Sequence, residues 1–422
     1  MQIFTIVNII LGGLFLLCYA HQVFYVFYTL VKKPKQYPPT AQVNRYAILI
    51  CARNEEAVLG YLLDSIRAQD YPSELLDVYI CADNCNDGTA AVARAKGANV
   101  LERHDLTHVG KGYALDALIQ HIYSLHGTDA YEAYIIVDAD NLMDEHYVTE
   151  MDKCCSAGHR IVAGYRNCKN FGQNWLASSY AYWFYHEARQ LNNARTLLGV
   201  GGAVSGTGFL VHKDIFKVQG GWIHHCLIED VEFSVDNLLR GEKVYYCHDA
   251  IVYDEHPTSF AQSWRQRLRW SKGYHQVIRH YGGRLLAAIF TGKAPRFSCF
   301  DLLMHIAPAY ILTSLAVFVN VIFLVLCVIL DPAQLPAMLL TVAGSLAGGY
   351  AIMFFSSFFT NITERDRIHG TTGQRLVGMF AFPIFMMTFV LVGIAALFTP
   401  RVTWKPIHHN CTIPVDDVRK GK

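Results

Sequence analysis

The chain has almost no net charge to offer a polyanion. Its 36 Lys and Arg are balanced by 35 Asp and Glu, a formal charge of +1 at pH 7, so composition argues against a nucleic-acid partner. It also lacks an organised cysteine pattern. The 12 cysteines are scattered: Cys81 and Cys85 have no second pair and Cys154–Cys155 are adjacent. That leaves no persuasive zinc site, and the expectation is mostly reduced thiols in a domain facing the cytosol. The third lack is local. From Met1 to Val31 there is no Asp, Glu, Lys or Arg. A bilayer core takes about 20 apolar residues, so this block is long enough to cross one. A cleaved signal peptide fits poorly, because no basic segment precedes the apolar run and the run is too long.

What is abundant is apolar surface: 52% of residues are hydrophobic and 13% aromatic, concentrated in a few long blocks. Lys32, Lys33 and Lys35 follow the first block and place what comes next on the cytoplasmic side. Three further blocks run over 309–330, 335–360 and 376–398. The second carries Gly344, Ser345, Gly348 and Gly349, which would let helices pack closely. Arg365, Arg367 and Arg375 make the loop before the third block cytoplasmic. Four crossings with the N-terminus outside satisfy both basic clusters. They also put the tail outside, against its Arg401, Lys405, Arg419, Lys420 and Lys422. A re-entrant segment around 302–308 would change the parity. Between 260 and 290, Trp264, Leu268, Trp270, Val277 and Ile278 alternate with Arg265, Arg267, Arg269, Lys272, Arg279 and Arg284, the pattern of a basic amphipathic helix on the membrane face.

The soluble-looking region from about Tyr46 to Arg296 is organised around Tyr134-Ile135-Ile136-Val137-Asp138-Ala139-Asp140. Its apolar part predicts a strand buried on both faces. Asp138 and Asp140 then sit at the strand's carboxyl end, where open α/β sheets place ligands. Side chains at i and i+2 of a strand share a side, and two hard oxygens there suit Mg²⁺ or Mn²⁺. A turn that happens to carry two aspartates is the alternative. Strands are also predicted at 47–52, 76–82 and 99–102, with helices over 59–66, 90–96 and 111–123. Strand and helix alternation at this spacing means βαβ units and a mostly parallel sheet. Glu55, Asp83, Lys111, Asp138 and Asp140 all fall at strand or helix ends, so they can converge on one cleft able to hold a nucleotide.

The second half adds three stretches. Ser205-Gly206-Thr207-Gly208-Phe209 is either a backbone approach to a ligand or a hairpin turn. Glu229-Asp230, set among apolar residues, is either a carboxyl pair with raised pKa, fit for base work, or a helix N-terminus; both can hold together. In Gln266-Arg267-Leu268-Arg269-Trp270, two arginines can hold a diphosphate and an indole face can stack on a sugar ring.

The order Asp83, Asp138-Ala139-Asp140, Glu229-Asp230 and Gln266-x-x-Arg269-Trp270 resembles the membrane-bound family 2 glycosyltransferases, which include cellulose, chitin, hyaluronan and poly-N-acetylglucosamine synthases. The resemblance implies a GT-A-type α/β nucleotide-sugar-binding domain with a mostly parallel mixed sheet, plus transmembrane helices. The implied enzyme is an inverting, metal-dependent hexosyltransferase using a UDP-sugar (glucose or N-acetylglucosamine type) and Mg²⁺ or Mn²⁺. Glu55 and Asp83 then resemble contacts to uracil and ribose, and Lys111 the basic residue near the diphosphate. Asp138 resembles a nucleotide and metal contact, and Asp140 the metal ligand. Asp230 resembles the general base, with Glu229 beside it. Gln266, Arg269 and Trp270 resemble the motif holding diphosphate and acceptor end; Ser205, Gly206 and Thr207 fall where backbone nears the acceptor sugar. Two positions depart from the family pattern: Ala82 replaces a frequent first aspartate, and Ile228 a frequent threonine.

The expected organisation is an N-terminal transmembrane helix (1–31), a cytoplasmic catalytic domain (32–259), amphipathic interface helices (260–297), three transmembrane helices (298–400) and a short tail (401–422), in the plasma membrane. A fused cyclic-dinucleotide sensor is not expected. The expected product is a β-linked polysaccharide made processively, with an accessory export subunit as a candidate partner. The alternatives are a non-processive glycolipid synthase and a nucleotide-binding transporter or scaffold without turnover. The intact carboxylates and the scarcity of charge in the spans argue against the transporter and scaffold.

Overall fold

A computed structural model of the chain describes residues 2–40, 43–400 and 411–420. At its centre is an eight-stranded sheet in the order β3-β2-β1-β4-β7-β6-β8-β5. The strands are β1 (Tyr46–Ala52), β2 (Leu76–Asp83), β3 (Asn99–Arg103), β4 (Ala133–Asp138), β5 (Leu142–Met143), β6 (Ile161–Cys168), β7 (Phe209–His212) and β8 (Val244–Asp254). The β3-β2-β1-β4 half is parallel. β7 is antiparallel to β4 and β6, β8 runs parallel to β6, and β5 is antiparallel to β8. The sheet is thus mixed, as expected.

β1 shows why the apolar runs carry no polar alternation. Ile48 and Ile50 pack with Leu59, Leu62 and Leu63 from the helix Leu59–Arg67. Ala47 and Leu49 pack on the other face with Leu115 and Leu118 from the helix Lys111–His126. Each fully buried Ile or Leu contributes about 1.5–3 kcal/mol, so a polar residue on either face would be costly. The register then aligns the strand ends. Cys51 pairs with both Cys81 and Asp138, which brings Asp83 and Asp138 to one edge of the sheet.

Among the described residues, four helices are long and apolar enough to cross a membrane: Gln2–Val31, Ile311–Leu330, Pro332–Thr363 and Thr372–Phe398. The last is unlike the others, with 33% of its most apolar stretch buried against 6–11% elsewhere. Gly378 lets it approach Ser178 and Tyr182 of the helix Trp175–His186, whose Cβ and ring carbons lie only 2.7 and 2.9 Å from where a Cβ at 378 would sit. Ser357 bonds Met379 O at 3.0 Å while Tyr350 bonds Phe380 O at 2.9 Å. These bonds tie the helix Leu335–Thr363 to the helix Thr372–Phe398. At its far end, Lys272 donates to Thr399 O at 2.7 Å.

Three expectations need correction. A Cβ added at Gly344, Gly348 or Gly349 would meet nothing within 4 Å, so these glycines pack on no other helix among the described residues. The 302–308 stretch is not re-entrant: the helix Arg296–Ile306 lies on the catalytic domain, with Cys299, Leu302 and Ile306 buried against Val277 and Leu285. The tail does not sit across the membrane from the catalytic domain. Cys411 N–H donates to Glu255 at 3.1 Å, Arg419 pairs with Asp144 at 2.6 Å, and Val418 is buried with Leu142 and Tyr253. These contacts set the tail beside the catalytic domain, whereas four crossings put it on the other side. Arg401, Lys405 and Lys422 lie outside the described residues.

One buried knot ties these parts together. Asp301 takes two hydrogen bonds from Arg195, at 2.9 and 2.8 Å, one from Tyr25 at 2.8 Å, and contacts His21 at 3.2 Å. The N-terminal helix, the catalytic domain and the helix Arg296–Ile306 therefore share one carboxylate.

Candidate active site

The carboxyl ends of β1, β2 and β4 open onto a cleft of about 300 Å³. Glu55, Asp83, Lys111, Asp138 and Asp140 line one part of it. Ser205, Gly206, Glu229 and Asp230 line the middle, and Gln266, Arg269 and Trp270 the remaining wall. Of the residues assigned to the site by resemblance, Thr207 alone is not on this wall.

Asp83 ends β2 in register with Arg103 at the end of β3, and the two side chains pair at 2.6 Å, both nearly buried. The Lys111 ammonium contacts the Asp138 carboxylate and donates to Gly206 O at 2.7 Å. Burial alone would depress the ammonium, but Asp138 and Glu229 outweigh it and push its pKa up. A permanent cation thus sits at the base of the cleft, joining its first half to the Ser205–Gly206 turn. Gly206 has φ +81°, a conformation that favours glycine. The turn reading of that run holds, and Ser205 and Gly206 line the cleft.

Thr207 works from behind. It accepts the Asp138 backbone N–H at 2.8 Å and donates to Asn141 at 2.6 Å; Asn141 in turn donates to Asp254 at 2.8 Å. Arg166 pairs with Asp254 and donates to Ser205 O at 3.1 Å. Lys169, buried, donates to the backbone carbonyl of Asp140 at 2.8 Å. Arg166 and Asp254 line the cleft and escape the sequence reading. Asp254 ends β8 much as Asp83 ends β2, so reading β8 would have found it.

Glu229 and Asp230 open the helix Glu229–Leu239. Ile228, just before them, packs on Gly273 of the helix Phe260–Thr291, where a Cβ would come within 2.7 Å of it. The pair is therefore fixed against the wall carrying Arg269. Burial, then the Asp230 charge, pushes the Glu229 carboxyl up to about 7, while Lys111 and Arg269 pull it down. Burial raises Asp230 as well. Both the helix-start reading and the raised-carboxyl reading hold.

Another acid belongs to the cleft without a motif to announce it. Glu187 is buried, lines the cleft, and has its carboxyl raised by burial. It begins a π-helical turn, Glu187–Asn192, a form that recurs at functional sites. A lone acid after Trp183-Phe184-Tyr185-His186 is the available signal.

Gln266 has its side-chain oxygen buried without a hydrogen-bond partner, as suits a wall awaiting a donor group. Arg269 donates to Leu227 O at 2.7 Å. The expectation that two arginines hold a diphosphate is corrected by Arg267. It points to the opposite side of its helix, donates to Thr388 at 2.6 Å and lies over the Phe385 and Phe389 rings at 4.7 and 4.8 Å. Residues two apart on a helix do not share a face.

Asp138 and Asp140 offer hard carboxylate oxygens and no soft donor, a set that fits Mg²⁺ or Mn²⁺ with substrate oxygens completing the shell.

Residues 44–273 match the model of the family described as "Glycosyltransferase like family 2". The probable glycosyltransferase YdaM of Bacillus subtilis is 22% identical over 69% of this chain and 69% of its own length. A beta-monoglucosyldiacylglycerol synthase of Synechocystis is 24% identical over 59% of this chain. A poly-beta-1,6-N-acetyl-D-glucosamine synthase of Staphylococcus epidermidis is 25% identical over 56%. The chain spans 53% and 56% of the length of these last two. Among solved structures, the mannosyltransferase PcManGT of Pyrobaculum calidifontis, in complex with GDP-Man and Mn²⁺, has a TM-score of 0.52 at 18% identity, covering 90% of this chain and 98% of that one. At that identity the likeness concerns the fold.

Proposed function

The chain belongs to glycosyltransferase like family 2, and from that premise we propose that it moves a sugar from a UDP-sugar, with inversion, onto a growing β-linked saccharide at a membrane. One observation carries the reading. A single cleft holds a cation-and-carboxylate half (Lys111, Asp138, Asp140), a raised carboxyl pair (Glu229, Asp230) and an amide-and-indole wall (Gln266, Trp270).

In this reading Glu55 and Asp83 contact the uridine, and Lys111 and Arg269 face the diphosphate. Asp230 accepts the proton of the acceptor hydroxyl as that oxygen attacks the anomeric carbon. The bond to UDP breaks on the opposite face, so an α-linked donor gives a β-linked product. The leaving diphosphate meets two fixed cations that need no reorganisation. Mg²⁺ or Mn²⁺ held by Asp140 and Asp138 would neutralise diphosphate charge. Trp270 stacks on the acceptor sugar, and Ser205 and Gly206 border it. Thr207 acts through Asp138 and Asn141.

A lipid acceptor is the second reading, favoured by the far end of the cleft. His305 lines it and lies in the helix Arg296–Ile306, which leads directly into the apolar helix Pro308–Leu330. The transporter or scaffold reading has no such support.

For placement, we propose a plasma-membrane protein with its catalytic domain in the cytoplasm and an accessory export subunit as partner. The helices Gln2–Val31, Pro308–Leu330 and Leu335–Thr363 cross, and Thr372–Phe398 lies against the catalytic domain. Three crossings remove the conflict over the basic tail.

The test is UDP release by the detergent-solubilised protein with Mn²⁺ and a panel of UDP-sugars, with sizing of the labelled product. A high-mass product supports the polymer reading and a small lipid-extractable one the glycolipid reading. Loss of release in EDTA supports metal use; no release with any donor, primer or lipid overturns the enzyme reading. The pH profile is a second check. Burial raises the Asp230 carboxyl above the ordinary carboxylate range, and Glu229 beside it is raised to about 7. Protonation of the base as pH falls should therefore cost acceptor-limited rate at a higher pH than for a solvent-exposed carboxylate, so the rate should climb between acid and neutral pH. A rate flat from acid to neutral pH would count against the pair.

A further inference from the structure

Beside the cleft, a second group of side chains has the composition of a metal site. We propose that Cys226, Glu232 and His280 bind one borderline divalent cation of the Zn²⁺ type, separate from the ion of the transfer reaction. Their ligand atoms lie within 4.8 Å of one another. Cys226 Sγ and His280 Nδ1 are 3.8 Å apart. Zinc–sulfur and zinc–nitrogen bonds of about 2.3 and 2.0–2.1 Å, opened to a tetrahedral or slightly wider angle, put the two ligands roughly 3.6–3.8 Å apart. The pair is already spaced for an ion.

The third ligand is held in place. Glu232 takes the backbone N–H of His225 at 2.9 Å and of Cys226 at 2.8 Å on one oxygen. Its other oxygen accepts from the Tyr281 hydroxyl in a longer bond of 3.3 Å. These bonds point the acid at the thiol beside it. Burial, with the Glu232 charge next, pushes the Cys226 thiol up to about 12. Metal binding would expel the thiol proton to solvent and relieve the repulsion between thiolate and carboxylate.

The three residues come from three elements. Cys226 is in the loop before Glu229, Glu232 in the first turn of the helix Glu229–Leu239, and His280 on the helix Phe260–Thr291. Gln276, one turn before His280 on the same face, already holds Leu227 N–H at 3.0 Å. The ion would add a staple along that seam, next to the catalytic pair. Burial runs from inside to outside: Glu232 is buried, Cys226 half-buried and His280 exposed. An ion can therefore reach the site from solvent, and the fourth position is open to water. The donors also separate the two sites, since thiolate and imidazole suit zinc while carboxylates alone suit Mg²⁺ or Mn²⁺.

The test uses the full chain in detergent, stripped of metal and returned to excess Mg²⁺. Co²⁺, the spectroscopic stand-in, is titrated in, then Zn²⁺. The expected result is one equivalent of Co²⁺ giving a sulfur-to-cobalt charge-transfer band that Zn²⁺ abolishes. Cys226→Ser should lose the band. His280→Ala, an exposed change, should weaken affinity roughly tenfold or more. Zn²⁺ should raise the unfolding temperature of the wild type and not of Cys226→Ser, whose metal-free unfolding serves as the control for folding. No band in the wild type, a band that survives Cys226→Ser, or an affinity unchanged in His280→Ala would each overturn the site.

Discussion

Asp230→Asn is expected to lower turnover by about 10²–10⁴-fold, the range for loss of a positioned base. Affinity for UDP should stay near that of the wild type. The two quantities separate because of where the group sits. Asp230 is the second residue of its helix, behind the N-cap Ile228, and Asn has nearly the shape of Asp, so the local fold survives. The groups assigned to the donor, Glu55, Asp83, Lys111, Asp138 and Arg269, belong to other elements: the loop after β1, the ends of β2 and β4, the start of the helix Lys111–His126 and the helix Phe260–Thr291. None of them moves with the substitution. Kinetics against UDP-sugar, paired with calorimetry for UDP, checks the split. Near-normal turnover would move the base to Glu229 or Glu187, both of which line the same cleft with raised carboxyls. A collapse in UDP affinity would mean instead that Asp230 supports the donor half.

Asp301→Ala should be the most destabilising single change outside the cleft, by about 3–5 kcal/mol, because it strands a buried cation. Arg195 is 2% exposed and Asp301 fully buried. Burial works against the Asp301 charge, yet Arg195 more than offsets it and holds the carboxyl well below the usual carboxylate range. With a folded pKa below the unfolded one, the stabilisation is present at neutral pH and is lost only as pH falls toward the folded pKa. Truncation also removes the acceptor for Tyr25, so the N-terminal helix loosens with the core. Thermal unfolding in detergent reads the loss. A change under about 1 kcal/mol would mean that Arg195 is rescued locally, for example by Asn192, which already takes one of its hydrogens at 3.0 Å.

How much of this is legible in the sequence differs by region. The parallel half of the sheet can be read because each strand is a short apolar run ending in a polar turn, so fold and ligand edge come from one pattern. Asp83, Lys111, Asp138 and Asp140 follow directly. Glu229-Asp230 and Gln266-x-x-Arg269-Trp270 need the resemblance, since a charged pair at a helix start and a basic helix each have ordinary explanations. Arg166, Asp254 and Glu187 stay hidden because they act through partners far away in sequence. Arg166 meets Asp254 across 88 residues, and no local pattern records that. Arg267 misleads because nearby arginines look alike in sequence, although a helix turns one toward the cleft and the other toward Phe385. The fourth apolar helix is read as a span from hydropathy alone, which does not register that part of its surface meets Tyr182.

The segment from Cys411 to Lys420 bears on how the protein is made. β5 is two residues long and stands at the border of the sheet. An open sheet border invites pairing with other chains. Here Val418 and Arg419 cover it, against Leu142, Tyr253 and Asp144. Translation runs from N- to C-terminus, so that cover is synthesised after every apolar helix has left the ribosome. The catalytic domain must therefore wait through membrane insertion with this border bare. A nascent chain released before residue 411 would carry a complete cleft and an uncovered sheet, and its hazard would be association with its own kind, not loss of chemistry.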